Sequence, residues 1–265
     1  MTAARVRLAR PLLPALVALA LVAAAELALV LASAASREPL SPVQYPRPFA
    51  VAAAFADHFG AIARAAPQTL LTALIGFVGG LALGIAVACL LWASRLLRIA
   101  VAPYLILIPM LPVVAVAPLL TIMVRDAFMA RILLAAYVTC FPVIVNTAKG
   151  LQALDDGKAD LMASYGAGRW QLLRKAAWPA ALPYVFAGAR IGATWSVIGG
   201  IILEFTGASR NGLGVLMLQL SYFGNSADSA YFLWAAALGS ALLGLLLSAA
   251  VVLCERWALK GRRPS

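Results

Sequence analysis

Charged residues are scarce in this sequence, and acidic ones scarcer still. Only 12% of the residues are charged, where a soluble domain carries about 25%. Ten Asp and Glu stand against 21 Lys and Arg, a formal net charge of +11. A nucleic-acid binder would need a basic face on a soluble fold, and little soluble sequence is present to carry one. There is one histidine, His58, which supports neither a metal cage nor a Ser-His or Cys-His pair. It is best accounted for as an interfacial polar residue. The three cysteines, Cys89, Cys140 and Cys254, lie in or beside apolar runs, with no two close together. That excludes a disulfide framework and a cysteine zinc site. The phosphate-cradling loop G-x-x-x-x-G-K-[ST] is missing. Gly157-Lys158 is the nearest fragment, but Ala159 follows it and Gln152 stands where the first glycine belongs. "GAGRWQ" is not a dinucleotide-binding G-x-G-x-x-G, because Gln171 takes the last place. No H-E-x-x-H, serine elbow or close acid pair occurs, so a membrane-embedded enzyme has no identifiable machinery.

Hydrophobic residues, by contrast, make up 64% of the chain. A bilayer-spanning helix needs about 20 mostly apolar residues. Six runs meet that length, at 11–33, 68–92, 99–123, 128–148, 184–206 and 230–254. The first is preceded by Arg5, Arg7 and Arg10 and ends near a small-residue Ala32-Ser33-Ala34 site, as a signal peptide would. Signal cores, however, run only about 7–15 residues, so a retained first span is expected. With the N-terminus inside, the inner segments hold 14 Lys and Arg and the outer ones six. The excess of basic residues on the cytoplasmic side places both termini there. The expected division is a tail and first span over 1–35, and an external loop with an interfacial helix over 36–67. A core over 68–255 includes a cytoplasmic loop at 149–183, and a basic tail covers 256–265. In the external loop, Phe49, Phe55, Phe59 and Ile62 recur at near-helical spacing, which suggests an amphipathic helix on the outer interface or an ordinary packed one.

Several residues stand out within the spans. Gly76, Gly80 and Gly84 lie four apart, as do Gly188 and Gly192. That interval lets helix backbones approach closely, so these are candidate packing residues. Pro109, Pro112 and Pro118 fall in one span. Repeated kinks suit a helix that lines a pathway or gate, and equally a bent packing helix. Glu26 and Glu204 are acids within spans, where acids are costly and often functional. Glu204 precedes "FTGASRNGLG". It is placed either to bond backbone donors of that turn or to touch a solute on the pathway.

The stretch KADLMASYGAGRWQLLRKAAWPAALP, 158–183, is the longest polar and basic segment of the later chain. It is expected to form two short helices around a glycine corner. Asp155 or Asp156 caps the first, Gly166 ends it in the left-handed conformation, and Arg169 to Trp178 forms the second, stopped by Pro179. Leu161, Met162, Tyr165, Leu172 and Leu173 supply an apolar surface among Lys158, Arg169, Arg174 and Lys175. Such a pair suits anionic lipid or a partner's groove.

This segment resembles the cytoplasmic loop of ABC importer permeases, E-A-A, three residues, Gly, nine residues, I-x-L-P. Asp160 stands for the Glu, Gly166 for the glycine and Pro179 for the proline, while Leu161-Met162, Ala176 and Trp178 depart from the pattern. "IPMLPVVAVAPLL", "FPVIVNTAKGL", "PAALPYVFAGARIGAT" and "EFTGASRNGLG" resemble the nitrate/sulfonate/taurine branch. "DLMASYGA" and "SVIGGIILEFTGA" are most similar to members proposed to carry pyrimidine thiamine precursors or riboflavin. The resemblance implies an all-α multi-pass protein of the bacterial inner membrane, with the type I importer permease fold. It implies a dimer of permeases, two separate ATPase subunits that bind the ATP, and an external binding protein that delivers substrate. It implies no cofactor in the chain itself. Asp160, Leu161, Met162, Tyr165, Gly166, Ala167, Gly168, Arg169 and Pro179 would form the ATPase-coupling loop. A stand-alone secondary transporter or channel is the alternative; it calls for ion-coupling residues near the midplane or paired broken helices.

Overall fold

The computed structural model describes residues 17, 20–33, 41–207, 209–224 and 226–260. Among the described residues every regular element is helical. In chain order they are α1 (Ala20–Ser33), α2 (Pro48–Asp57), α3 (Phe59–Ala93), α4 (Arg95–Leu107), a 3-10 turn (Ile108–Met110) and α5 (Val113–Val124). Then come α6 (Ala127–Gln152), α7 (Asp156–Ser164), α8 (Arg169–Leu172), a π-turn (Leu173–Ala177), α9 (Trp178–Phe205), α10 (Leu213–Phe223) and α11 (Ala227–Ala258). The chain divides into two units, one of residues 1–63 and 219–238, the other of 64–218 and 239–265.

Four helices are long and apolar enough to cross a membrane: α3, α6, the continuous Arg169–Phe205 and α11. Of the expected six spans, the third is corrected. Of the first, 11–33, residues 11–16, 18 and 19 lie outside the described residues, and Ala20–Ser33 is an apolar helix. The second, 68–92, lies within α3, which begins at Phe59 because Gly60 and Pro67 are both absorbed in the helix. The third is not one helix. Pro103–Met110 and Val113–Val124 meet at 90° across Leu111-Pro112, a fifth span only if the bent pair is counted as one. Proline disfavours the helical conformation of the residue before it, and Leu111 accordingly sits at φ −68°, ψ 123°.

In the larger unit, α6 is the central helix. A Cβ on Gly80 would meet the Ala136 carbonyl and Thr139, and one on Gly84 would meet Val143 at 2.8 Å. A Cβ on Gly76 would likewise run into Ala135 and the Ile132 carbonyl. Along α9, a Cβ on Gly188 would fall 2.9 Å from the Pro142 carbonyl oxygen, and one on Gly192 would fall 2.9 Å from Thr139. The two glycine series therefore press α3 and α9 onto α6, at distances that no larger residue permits. Thr139 reinforces the second contact by donating to the Gly192 carbonyl at 3.2 Å. One apolar cluster, with Leu134, Ala117 and Leu203, joins α5, α6 and α9. Another, with Ala88, Leu151, Ala177 and Ala181, lies at the opposite end of α6.

In the smaller unit, Arg47 donates to Glu26 at 2.8 Å and the Phe49 amide donates to the same carboxylate at 3.2 Å. Glu26 is thus paired locally. His58 lies 3.3 Å from the Asp228 carboxylate and stacks on Phe232, with centroids 4.0 Å apart.

Candidate functional sites along the Arg169–Phe205 helix

Three features of the larger unit bear on function. The first is the elbow at 155–179. Asp155 caps α7: its carboxylate accepts from the Gly157 amide at 3.4 Å, and its carbonyl accepts from the Lys158 amide at 3.0 Å. The helix ends at Gly166, whose φ of +74° lies in the left-handed region. The Ala167 amide returns to the Met162 carbonyl at 3.0 Å, closing the terminus. Gln171 then accepts from the Gly168 amide at 3.2 Å and starts α8. Arg169 donates to the Ala93 carbonyl at 3.2 Å, neutralising an orphan acceptor at the end of α3. That contact ties the elbow to a spanning helix.

The second helix of the elbow does not stop at Pro179. It passes through the π-turn at 173–177 and continues to Phe205. In a regular α-helix a proline lacks the donor to the carbonyl four residues back and collides with it. Here the Trp178 amide reaches back five residues to Leu173, and this widened turn accommodates the proline at the next position.

The elbow shows its apolar side chains to the outside. Tyr165 is 83% exposed, Trp170 71% and Leu161 57%, whereas Met162 is half-buried. Asp160 is exposed and takes no side-chain partner among the described residues. Trp170 is not an element of the loop pattern and was missed for that reason. Its spacing of five from Tyr165, across a glycine corner, is the signal that pairs them.

The second feature is a staple at the far end of the same helix. The Glu204 carboxylate is fully buried. It accepts from Thr69 on α3 at 3.0 Å to each oxygen, from Arg131 on α6 at 3.3 Å, and from the Gly214 amide at 2.8 Å. The Leu213 amide donates to Thr69 at 2.9 Å. A buried charge persists only when paired and hydrogen-bonded, and this one is. A side chain at Gly212, φ +141°, would run into the carboxylate, and a Cβ at Gly214 would fall 2.7 Å from Glu204 Cβ. That explains the glycines of "RNGLG". Arg131 and Thr69 were not singled out from sequence. The signal was a cation inside an apolar run facing a lone acid in another.

The third feature is a cavity of about 230 Å³ at the bend between α4 and α5. Pro109, Leu111, Tyr137, Phe141, Ile191 and Trp195 are among its walls. Tyr137 donates to the Ile108 carbonyl at 3.0 Å across the bend. Of the three candidate pathway prolines, Pro109 lines the cavity, Pro112 makes the bend and Pro118 lies within α5. No cluster of side chains fit to hold a metal ion occurs among the described residues.

Residues 80–260 match the family described as binding-protein-dependent transport system inner membrane component. The chain is 37% identical over 123 residues to the riboflavin transport system permease protein of Chloroflexus aurantiacus, a match covering 46% of each chain. The aligned stretch thus spans less than half the length of that relative. It is 29% identical to the formylaminopyrimidine transport permease protein of Halalkalibacterium halodurans, over 74% of this chain and 77% of the other. Among solved structures, the inward-facing MetNI methionine ABC transporter superposes with a TM-score of 0.63 at 19% identity, covering 76% of this chain and 97% of that one. At that identity the likeness concerns the fold.

Proposed function

Because the chain belongs to the family of binding-protein-dependent transport system inner membrane components, we propose that it is the translocating subunit of an ATP-driven importer, driven through its elbow by a separate ATPase. It is a multi-pass helical protein of the inner membrane. The observation that carries the mechanism is the elbow itself. Exposed Leu161, Tyr165 and Trp170 stand on a closed glycine turn at the head of a 37-residue helix. That helix carries Ile191 and Trp195 at the cavity and Glu204 at the staple. A soluble motor that grips the elbow therefore acts on both through one rigid element. Two ATPase subunits, each taking one elbow of a permease pair, bind the ATP, and an external binding protein hands over the solute.

The resemblance of "DLMASYGA" and the names of the two relatives support a pyrimidine-type thiamine precursor or related heterocycle as cargo. Sulfonate, taurine or nitrate import by the same architecture is the second reading. A stand-alone secondary transporter is disfavoured because Glu204 is saturated by Arg131, Thr69 and Gly214, and Glu26 is paired with Arg47.

Affinity purification from detergent extracts of the native host tests the proposal. An ATPase subunit is expected to co-purify, while the isolated chain hydrolyses no ATP. Robust hydrolysis by the pure chain would sink it. A cytoplasmic reporter fused after Ser265 is expected to be active, and a reporter at Asn211 is expected to behave as external.

A further inference from the structure

We infer that the cavity at the bend is a ring-binding station on the translocation path, selective for an uncharged one- or two-ring heterocycle over small anions. The inference rests on the importer reading and adds to it a site and the chemistry of recognition. Its location comes from the backbone. Within a bilayer, non-helical backbone is tolerated only where protein buries it or where it lines a cavity. Broken helices at such depth are places where transported solutes bind. The break at Leu111-Pro112 divides two apolar helices that together are long enough to span, and Ile108, Pro109 and Leu111 from it form one wall of the cavity.

Its selectivity comes from what lines it. Not one lining residue is charged. Arg131, the buried cation on α6, is committed to Glu204. A sulfonate or nitrate entering here would shed its water with no cation to replace it, which is prohibitive. Phe141 and Trp195 instead contribute aromatic rings to the lining, and planar heterocycles stack on aromatic rings whatever their substituents. Two polar handles remain. The Tyr137 hydroxyl, now donating to the Ile108 carbonyl, is free to accept. The Trp195 indole N–H takes no partner among the described residues and is free to donate to a ring nitrogen or carbonyl. At about 230 Å³ the cavity is smaller than the sites that hold drug-sized ligands, so it suits one or two rings and not a ring bearing a long polar chain.

The test is calorimetric titration of the transporter, purified with its ATPase subunits in lipid nanodiscs and without binding protein. One probe is an aminopyrimidine kept neutral by the buffer; the other is ethanesulfonate. The aminopyrimidine is expected to bind and ethanesulfonate to give no heat. Trp195→Ala should weaken ring binding about tenfold, and Trp195→Phe, which keeps a stackable face, should hold it within about threefold. Ile191→Trp supplies an independent arm. Ile191 is 46% exposed, so a larger side chain is tolerated there and intrudes on the cavity; it should also weaken binding about tenfold. Ethanesulfonate binding as tightly as the ring overturns the inference. So does ring binding unchanged in both Trp195→Ala and Ile191→Trp, or equal uptake by empty nanodiscs. Presence of the ATPase subunits in the preparation reports on the importer reading alone, so the two fail separately.

Discussion

The two ends of the Arg169–Phe205 helix are built on opposite principles. At the Glu204 end, charged groups are buried and satisfied within the chain: three helices and the start of α10 converge on one carboxylate. At the Arg169 end, large apolar groups face outward, on a turn held by backbone bonds and the Arg169 contact to Ala93. An end that satisfies its own charges has no need of a partner. An end that exposes Tyr165 and Trp170 presents the kind of apolar patch that marks a protein or membrane contact. On the proposed reading, the comparison teaches that stability and coupling are lodged at different ends of one helix.

Substitutions that break this contrast are expected to differ in kind as well as size. The largest loss of stability belongs to Arg131→Ala, which strands the Glu204 carboxylate without its cation. Removing one partner of a buried pair costs about 3–5 kcal/mol, and a fall in thermal stability of the detergent-solubilised protein measures it. An unchanged melting temperature would show that the staple is not a structural centre. Next is the double change Tyr165→Ala and Trp170→Ala. It should leave stability alone but weaken ATPase binding, each aromatic anchor contributing about 2 kcal/mol; co-purification yield and affinity report it. Gly166→Val forces a β-branched residue into a positive φ, at roughly 1–2 kcal/mol. It should leave the chain folded in the membrane yet abolish transport and loosen the ATPase, with Ala153→Val as the control. Transport at the normal rate with the ATPase still bound would remove 158–183 from the coupling role. The smallest effect is expected of Asp160→Ala, a mild version of the same loss in transport assays, since Asp160 is exposed and gives up no side-chain partner among the described residues.

Much of the spanning architecture was legible because bilayer chemistry acts on composition. Long apolar runs at 128–148 and 230–254 became α6 and α11, each one to four residues longer at either end. The left-handed turn at Gly166 was legible because a helix end needs a residue without a Cβ penalty. The bent pair in place of a third span, and the helix continuing through Pro179, were not. In both cases a proline was given one consequence where the fold allows two. Pro112 accompanies a break because the backbone turns away there, whereas Pro179 is carried because a π-turn widens the helix ahead of it.

The sequence by itself determined that this is a multi-pass helical membrane protein with a glycine-cornered polar loop, since apolar run length, basic bias and turn residues are local properties. Only the tertiary structure decided what Glu204 does, that Arg131 and Thr69 from two other helices complete it, and that Phe141 and Trp195 share a cavity with a broken span. The two hydrogen bonds to Glu204 join residues 73 and 135 positions apart. A buried polar group finds its partners through packing in space, and no periodicity along the chain records which ones they are.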